Sequence, residues 1–547
     1  MSSQEENQLQ FQVQETNLNT QVIIERSEKY TEDSSLLDER LEADESEEFE
    51  HNLQEVDESI DDEYIEKDKT QQFRTLKPIQ TFGILVNYII GTGVFGLPFA
   101  FQNAGIGLSL IVLVFFYSIS LITSMWVLEN MARSSGVMEA YRKSRKAEKP
   151  HNELEFEVYN YSRMSCIFFG RAGKIASIIF VSFFSYGSLW AYTSVFSSSV
   201  TMIMWKYPLA SFGECSNDMA EWGLFDKCHS TYLVGIVVFA IIVVPLSLIG
   251  VSEQAILQNI LTCWRFFCFG LMALTCIIHI IYTSINGEYN PIPDGTSVGK
   301  WLFNFAGFGT LFSSCSVALS CHQNLPDCMT PTQPKKHLKK ILITGISISS
   351  FIYVVIGFSS MLCFGSNTKT PVTHNWLSFS GCAGGFGKCE NGKEAEWYGI
   401  IIQWLILLFP AVNLASEFPL VCATLSSNLM QIPPKKIREK HPKIWTYGCR
   451  LLACIPPIIA GAIKGDLEVI FNFAGIFGFF LLFIIPSLLQ IYSKYIIRRK
   501  WGSKTYVTVY SGKYSTSYLA WPILVIAVIC FSLAFVQFLF DTFGLTA

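Results

Sequence analysis

Residues 87–105 read NYIIGTGVFGLPFAFQNAG, and the reading of this stretch decides the fold. It lies in an apolar run long enough to cross a bilayer, yet Gly91, Gly93, Gly96 and Pro98 stand in its middle. At interior helix positions glycine costs about 1 kcal/mol and proline about 3 kcal/mol relative to alanine. In hydrocarbon every freed backbone N–H and C=O needs a partner, so non-helical backbone is tolerated only where it lines a cavity or is buried in protein. Transporters use that exception: half-helix ends near the bilayer midplane face solute and ions. The stretch therefore predicts a broken membrane span. The alternative is a small-residue packing face, although Gly91, Gly93 and Gly96 do not repeat every fourth residue.

The surroundings agree with a membrane protein. Half of the 547 residues are hydrophobic and only 16% are charged, against about 25% in a soluble domain. The charge is unevenly placed. Residues 1–70 hold 23 Asp/Glu and five Lys/Arg, while the remainder holds 22 and 35. Such an acidic, apolar-poor segment buries too little surface to offset its ordering entropy, which predicts a disordered tail over 1–74 and a membrane domain over 75–547. The tail lacks a basic region followed by an apolar core, so targeting is expected to fall to the first span rather than to a cleaved leader.

Apolar runs of about 20 residues suit transmembrane helices. Eleven are expected, at 79–101, 106–130, 173–204, 231–250, 255–284, 301–325, 340–364, 397–427, 444–463, 467–492 and 518–540, numbered here spans 1 to 11. Lys and Arg gather on the cytoplasmic side. With the N-terminus inside, the cytoplasmic loops hold 23 of them and the opposite loops seven, which puts the C-terminus outside or in a lumen. Cys215 and Cys228 fall in one outer loop, Cys382 and Cys389 in another; disulfides persist outside the reducing cytosol, so one bridge within each loop is expected.

An inverted-repeat transporter that breaks span 1 also breaks span 6. Span 6, WLFNFAGFGTLFSSCSVALSCHQNLP (residues 301–326), carries Gly307 and Gly309, then Ser313, Ser314, Cys315 and Ser316. With these in view, the chain resembles the amino acid/auxin permease family of the amino acid–polyamine–organocation superfamily. The resemblance rests on residues 87–105, CHQNLP (321–326), FPLVCATLSSNL (418–429) and GIFGFFLLFIIPSLLQIY (475–492). Within the family it is nearer to the transmembrane protein 104 branch, through FEVYNYSRMSCIFFGRAGK (156–174), SCHQNLPDCMTPTQPKKHLKK (320–340), LLFPAVNLASEFPLVCATL (407–425) and GDLEVIFNFAGIFGFFLLFIIPSLL (465–489). The resemblance implies an all-α 5+5 inverted-repeat fold with an eleventh helix, and secondary transport of amino acids.

It also implies roles. Backbone N–H groups around Gly91, Thr92 and Gly93 would hold a substrate carboxylate, in keeping with the half positive charge at a helix N-terminus. Ser313 to Ser316 would meet the ammonium. Asn87 stands where sodium-coupled relatives place an ion-ligating asparagine, and Asn413 and Ser416 fall near its usual partners; the alternative is plain interhelical hydrogen bonding. Arg265 and Glu417 each lie ten residues from the cytoplasmic ends of spans 5 and 8, so both sit roughly 15 Å deep. Charges at that depth are paired or on an ion pathway. Arginine does not release its proton, whereas Glu417 is able to carry one, so the driving ion is left between H⁺ and Na⁺. A static ion pair is the other reading.

No cofactor is expected. The spacings of metal sites are absent, as is the phosphate-binding loop GxxxxGK[ST], and no nucleophile–base constellation suggests an enzyme. The basic loops suit anionic lipid rather than nucleic acid. In the tail, Glu32, Leu36 and Leu37 form an acidic dileucine pattern like those read by sorting adaptors, which favours an endosomal, lysosomal or vacuolar membrane, with the plasma membrane as the alternative. The competing function is an amino-acid sensor that signals through the tail.

Overall fold

The computed structural model describes residues 47–57, 75–143, 152–155, 157–207, 215, 226–249, 255–292, 296–389, 393–433, 438, 440–463, 467–502 and 504–543. Helices dominate, and among the described residues an isolated β-bridge joins Leu76 to Thr332. Span 1 is two helices, Pro78–Ile89 and Gly93–Ala104, bent by 45°. Spans 2 to 5 are Ile106–Lys143, Tyr161–Lys206, Lys227–Ser247 and Ala255–Ile285. Span 6 runs from Val298 to Met329 and is interrupted after Phe308–Leu319. Spans 7, 8 and 9 are Leu338–Phe364, Trp397–Leu429 and Pro442–Ala462. Span 10, Leu467–Trp501, contains a π-helical turn over Phe480–Ile484. Span 11 is Ser517–Phe543. Among the described residues nine helical stretches are long and apolar enough to cross a bilayer, the bent pair makes ten, and the apolar part of span 11, Ser517–Leu533, is shorter.

The two broken spans pack on each other, as a 5+5 repeat requires. A side chain at Gly93 would meet Ala318 Cα and Cβ at 2.6 Å, and one at Gly307 would meet the Asn103 carbonyl at 2.5 Å. Leu76 N–H donates to Pro331 O and Gln333 N–H to Leu76 O, each at 3.0 Å. The first half of span 1 is thus tied to the chain just after span 6. Both expected disulfides, Cys215–Cys228 and Cys382–Cys389, are formed.

One expectation is corrected. The acidic tail was expected to be disordered to residue 74, but 47–57 is a helix docked on the bundle. Phe49, Leu53 and Val56 are buried; their i, i+4, i+7 spacing makes one helical face. Acids beside that face find bases: Glu50 meets Lys500 at 3.0 Å, Glu55 meets Lys174 at 3.0 Å and Asp57 meets Arg142 at 2.7 Å. Average composition concealed this local pattern. Glu32, Leu36 and Leu37 lie outside the described residues.

Candidate solute and ion site

Span 1 stops being helical at Ile90 and resumes at Gly93. Of the opening N–H groups of its second half, that of Phe95 donates to Thr92 O at 3.0 Å; the first N–H groups of any helix lack an intrahelical acceptor. The three glycines differ in what they face. A side chain at Gly91 would meet Tyr192 Oη at 2.7 Å and Glu417 Oε2 at 3.4 Å, at Gly93 it would strike span 6, and at Gly96 it would strike the Phe471 ring. Gly91 alone of the three borders charge. Thr92 between them is buried, and its hydroxyl has no hydrogen-bond partner.

The break in span 6 falls at Ser320 and Cys321, not at the serine run. Ser320 has φ −89° and ψ 88°, and the chain resumes in a short turn at His322. Ser313, Ser314, Cys315 and Ser316 lie in regular helix. Ser316 donates to Gly475 O at 3.0 Å, and a side chain at Gly475 would meet Ser313 Cα at 2.8 Å. Part of that run therefore packs on span 10. The neighbouring glycine Gly307 closes the short turn Phe305–Gly307, which follows extended Phe303 and Asn304, and lies against the end of span 1. Ser320 is the hydroxyl at the break, buried and unpartnered. Tyr353 of span 7 ties the two breaks together. Its hydroxyl lies 2.6 Å from Ile89 O and 2.9 Å from Ala318 O.

The two deep charges meet. Arg265 Nη2 and Glu417 Oε1 are 2.5 Å apart, with side-chain exposures of 0% and 2%. Asn413 Nδ2 also donates to Glu417 Oε1, at 3.0 Å. Arg265 Nη1 reaches Val86 O at 3.4 Å, and its Nε is unpartnered. Glu417 Oε2 closes no hydrogen bond and faces the break beside the Tyr192 hydroxyl. Arginine in this position keeps its positive charge, and one carboxylate oxygen is left without a hydrogen bond.

Asn87, Asn413 and Ser416 are close to this centre but are engaged. Asn87 Nδ2 donates to Gln258 Oε1, and its Oδ1 accepts from Thr262 Oγ1 at 3.0 Å. Gln258 Nε2 donates to Ser416 O at 3.0 Å, and the Ser416 hydroxyl turns back to Asn413 O at 2.7 Å. Gln258, Thr262 and Arg265 were not singled out together from sequence, yet their i, i+4, i+7 spacing puts them on one face of span 5. Tyr192 and Tyr353 carry no sequence signal that separates them from other tyrosines in apolar spans.

On the disulfide-bearing side, the turn Val372–Ser378 packs into the bundle. Gln403 of span 8 donates to Trp376 O at 3.1 Å and Leu377 O at 2.6 Å, and Trp376 donates to Thr275 of span 5 at 3.0 Å. His374 within this turn is buried, with both ring nitrogens unpartnered. Burial, aided by nearby Lys369, lowers its pKa to about 3.

Known proteins match this architecture. The family described as "Transmembrane amino acid transporter protein" matches residues 74–529. Transmembrane protein 104 of Homo sapiens is 22% identical over 455 residues, covering 74% of this chain and 85% of its own. The Drosophila melanogaster homolog is 25% identical over 513 residues, covering 83% and 96%. The crystal structure of MhsT in complex with L-phenylalanine aligns with a TM-score of 0.51 at 11% identity, over 84% of this chain and 98% of that one. At such low identity this last likeness speaks for the fold alone.

Proposed function

This chain belongs to the transmembrane amino acid transporter family, and from that premise we propose that it is a secondary active carrier of amino acids or related small zwitterions, driven by a proton gradient through alternating access. The observation that carries the reading is Glu417: one oxygen is held by Arg265 and Asn413, the other faces the break at Gly91. A zwitterion suits such a place, because the break offers N–H dipoles to a carboxylate and end-of-helix carbonyls to an ammonium. The solved neighbour MhsT holds L-phenylalanine, which supports an amino acid as cargo.

Proton rather than sodium coupling is favoured by donors that already occupy the oxygen set. The Val86 carbonyl receives Arg265, the Ser416 carbonyl receives Gln258, and Asn87 is bound to Gln258 and Thr262. Oxygen ligands are what a hard cation would need. The basic loops favour a cytosolic side for residues 324–340 and the N-terminus, with the bridged loops outside or in a lumen; the dileucine pattern favours an acidic endosomal or lysosomal compartment. Family membership points away from an enzyme.

A second reading, an amino-acid sensor, is favoured by one observation: the docked tail helix 47–57, which is held to spans 2, 3 and 10 by ion pairs. Motion of those spans would be felt by the tail. Uptake of a labelled panel of L-amino acids into proteoliposomes, with a proton or a sodium gradient, separates the readings. Proton-driven uptake is expected. Ligand-dependent thermal stabilisation without flux for any solute would refute the carrier and leave the sensor.

A further inference from the structure

We propose that Arg171, Lys174 and Lys500 form a seat for the phosphate-bearing headgroup of an anionic lipid, and that the acidic helix 47–57 is a cover which such lipid displaces. The seat lies at the end of the bundle that bears the basic loops, and the proposal stands apart from the carrier reading. Residues 47–57, EEFEHNLQEVD, hold five acids. Glu55 meets Lys174 at 3.0 Å and Arg171 at 3.8 Å, and Glu50 meets Lys500 at 3.0 Å. Among the described residues no other acid is within ion-pair reach of these three bases. Arg142, which meets Asp57, is different, because Glu157 also holds it at 2.9 Å. Lifting the helix would leave Arg142 paired and the other three bases open.

The level of the seat is read from its neighbours. Arg171, Ile175 and Ile179 follow one another at four-residue steps on span 3, and all three are exposed. An exposed apolar stripe on a membrane span faces lipid, and Arg171 stands at its end. On span 10, Tyr492 and Tyr495 are exposed, and the Phe169 ring lies 5.1 Å from that of Tyr492. Exposed tyrosines near a span end mark the headgroup level. Lys500 follows Tyr495 by little more than one turn, with its ammonium over the Phe49 and Trp501 rings at 5.1 Å and 5.4 Å. Lysine and arginine beside an anionic leaflet are drawn to its headgroups; here tail acids engage them instead.

The charged side of the cover is loosely held. Exposed ion pairs contribute little to stability, and Arg171 is 76% exposed and Glu50 66%. The firmer hold is apolar and steric. Phe49 packs edge-on to Trp501 with ring centroids 6.3 Å apart. Asn52 fits the kink of span 3 at Gly170, whose φ is +66° and where an added side chain would meet Asn52 Oδ1 at 3.0 Å. Headgroups act on the charged contacts and leave the apolar ones alone. They therefore shift the balance between docked and lifted helix rather than eject it outright.

Full-length protein is placed in nanodiscs of phosphatidylcholine alone, or of phosphatidylcholine with phosphatidylserine, and amide hydrogen exchange of residues 47–57 is followed by mass spectrometry. The helix is expected to be protected in neutral discs and to exchange about tenfold faster in anionic ones. Plain repulsion between an acidic tail and an anionic membrane would also speed exchange, so Arg171→Gln/Lys500→Gln is compared. That variant keeps the Lys174 and Arg142 pairs and the apolar stripe, and the ratio of its two rates is expected to fall close to one. If it is unprotected even in neutral discs, Arg171→Gln alone serves, and is expected to lower the ratio several-fold. A ratio unchanged by these substitutions overturns the seat in favour of repulsion. Equal exchange of the unaltered protein in both discs overturns displacement, and lack of protection in neutral discs overturns the cover. Inorganic phosphate added to neutral discs is expected to change nothing; acceleration as large as that in anionic discs would overturn lipid as the ligand.

Discussion

The Arg265–Glu417 pair makes a prediction in which stability and transport separate. Arg265 has no exposed surface, an unpartnered Nε and one long bond to Val86 O besides its contact with Glu417. Its charge is therefore compensated mainly by that one carboxylate. Removing one member of a buried pair costs about 3–5 kcal/mol, because a lone charge is left behind. The two single variants are not equivalent. Arg265→Met leaves a carboxyl able to shed its charge by binding a proton, whereas Glu417→Gln leaves a guanidinium that cannot lose its own. Glu417→Gln is thus expected to be the more damaging, with a melting temperature lower by about 5 °C.

Replacing both residues removes both charges, and replacement of whole buried pairs by neutral groups is often neutral or stabilising. The double variant Arg265→Met/Glu417→Gln is expected to recover most of the lost stability, giving a coupling energy of about 2–3 kcal/mol. It is not expected to recover proton-driven uptake, because the titratable oxygen at the break is gone. Thermal unfolding of purified protein and liposome uptake are measured on all four proteins. A double variant as unstable as Glu417→Gln would refute the pairing argument; a double variant that still concentrates solute on a proton gradient would remove Glu417 from the ion path.

The glycines of span 1 give a second contrast. A methyl at position 93 meets the backbone of Ala318, which has nowhere to go, while one at position 91 meets the tip of Tyr192, which is able to turn. Gly93→Ala is expected to cost about 1–3 kcal/mol, read as a fall in melting temperature, and Gly91→Ala to leave the fold intact and abolish uptake. His374 gives a pH dependence. Its folded-state pKa, lowered to about 3 by burial, lies below the unfolded value of about 6.5, so the unfolded form binds the proton more readily between those values. Stability is then complete above about pH 6.5 and falls as the medium is acidified. His374→Phe is expected to flatten the melting temperature between pH 7.5 and pH 5, and an unchanged slope would acquit His374.

How much of this was legible in the sequence depended on whether local chemistry alone fixed the feature. Span 1 announced its break because Gly91, Gly93 and Pro98 weaken a helix wherever they stand. The depth of Arg265 and Glu417 followed from counting residues, and their meeting follows from the cost of leaving either charge alone. The disulfides followed from loop placement. The tail helix was hidden because composition averages over 74 residues, whereas docking needs only the stripe Phe49, Leu53 and Val56 and bases on other spans to receive its acids.

The position of the break in span 6 was hidden for a related reason. Gly307 and Gly309 look like helix breakers, but Gly307 is needed where the end of span 1 approaches too closely for a side chain. The actual break at Ser320 and Cys321 contains no glycine or proline. Tertiary partners help hold it: Tyr353 reaches Ala318 O from span 7, and Thr123 of span 2 meets His322 Nε2 at 2.9 Å. These partners are 35 and 199 residues away from what they hold, so no local window contains the signal. The two halves of the repeat thus reach the same geometry differently, span 1 by residues that tolerate unwinding and span 6 by partners that stabilise it.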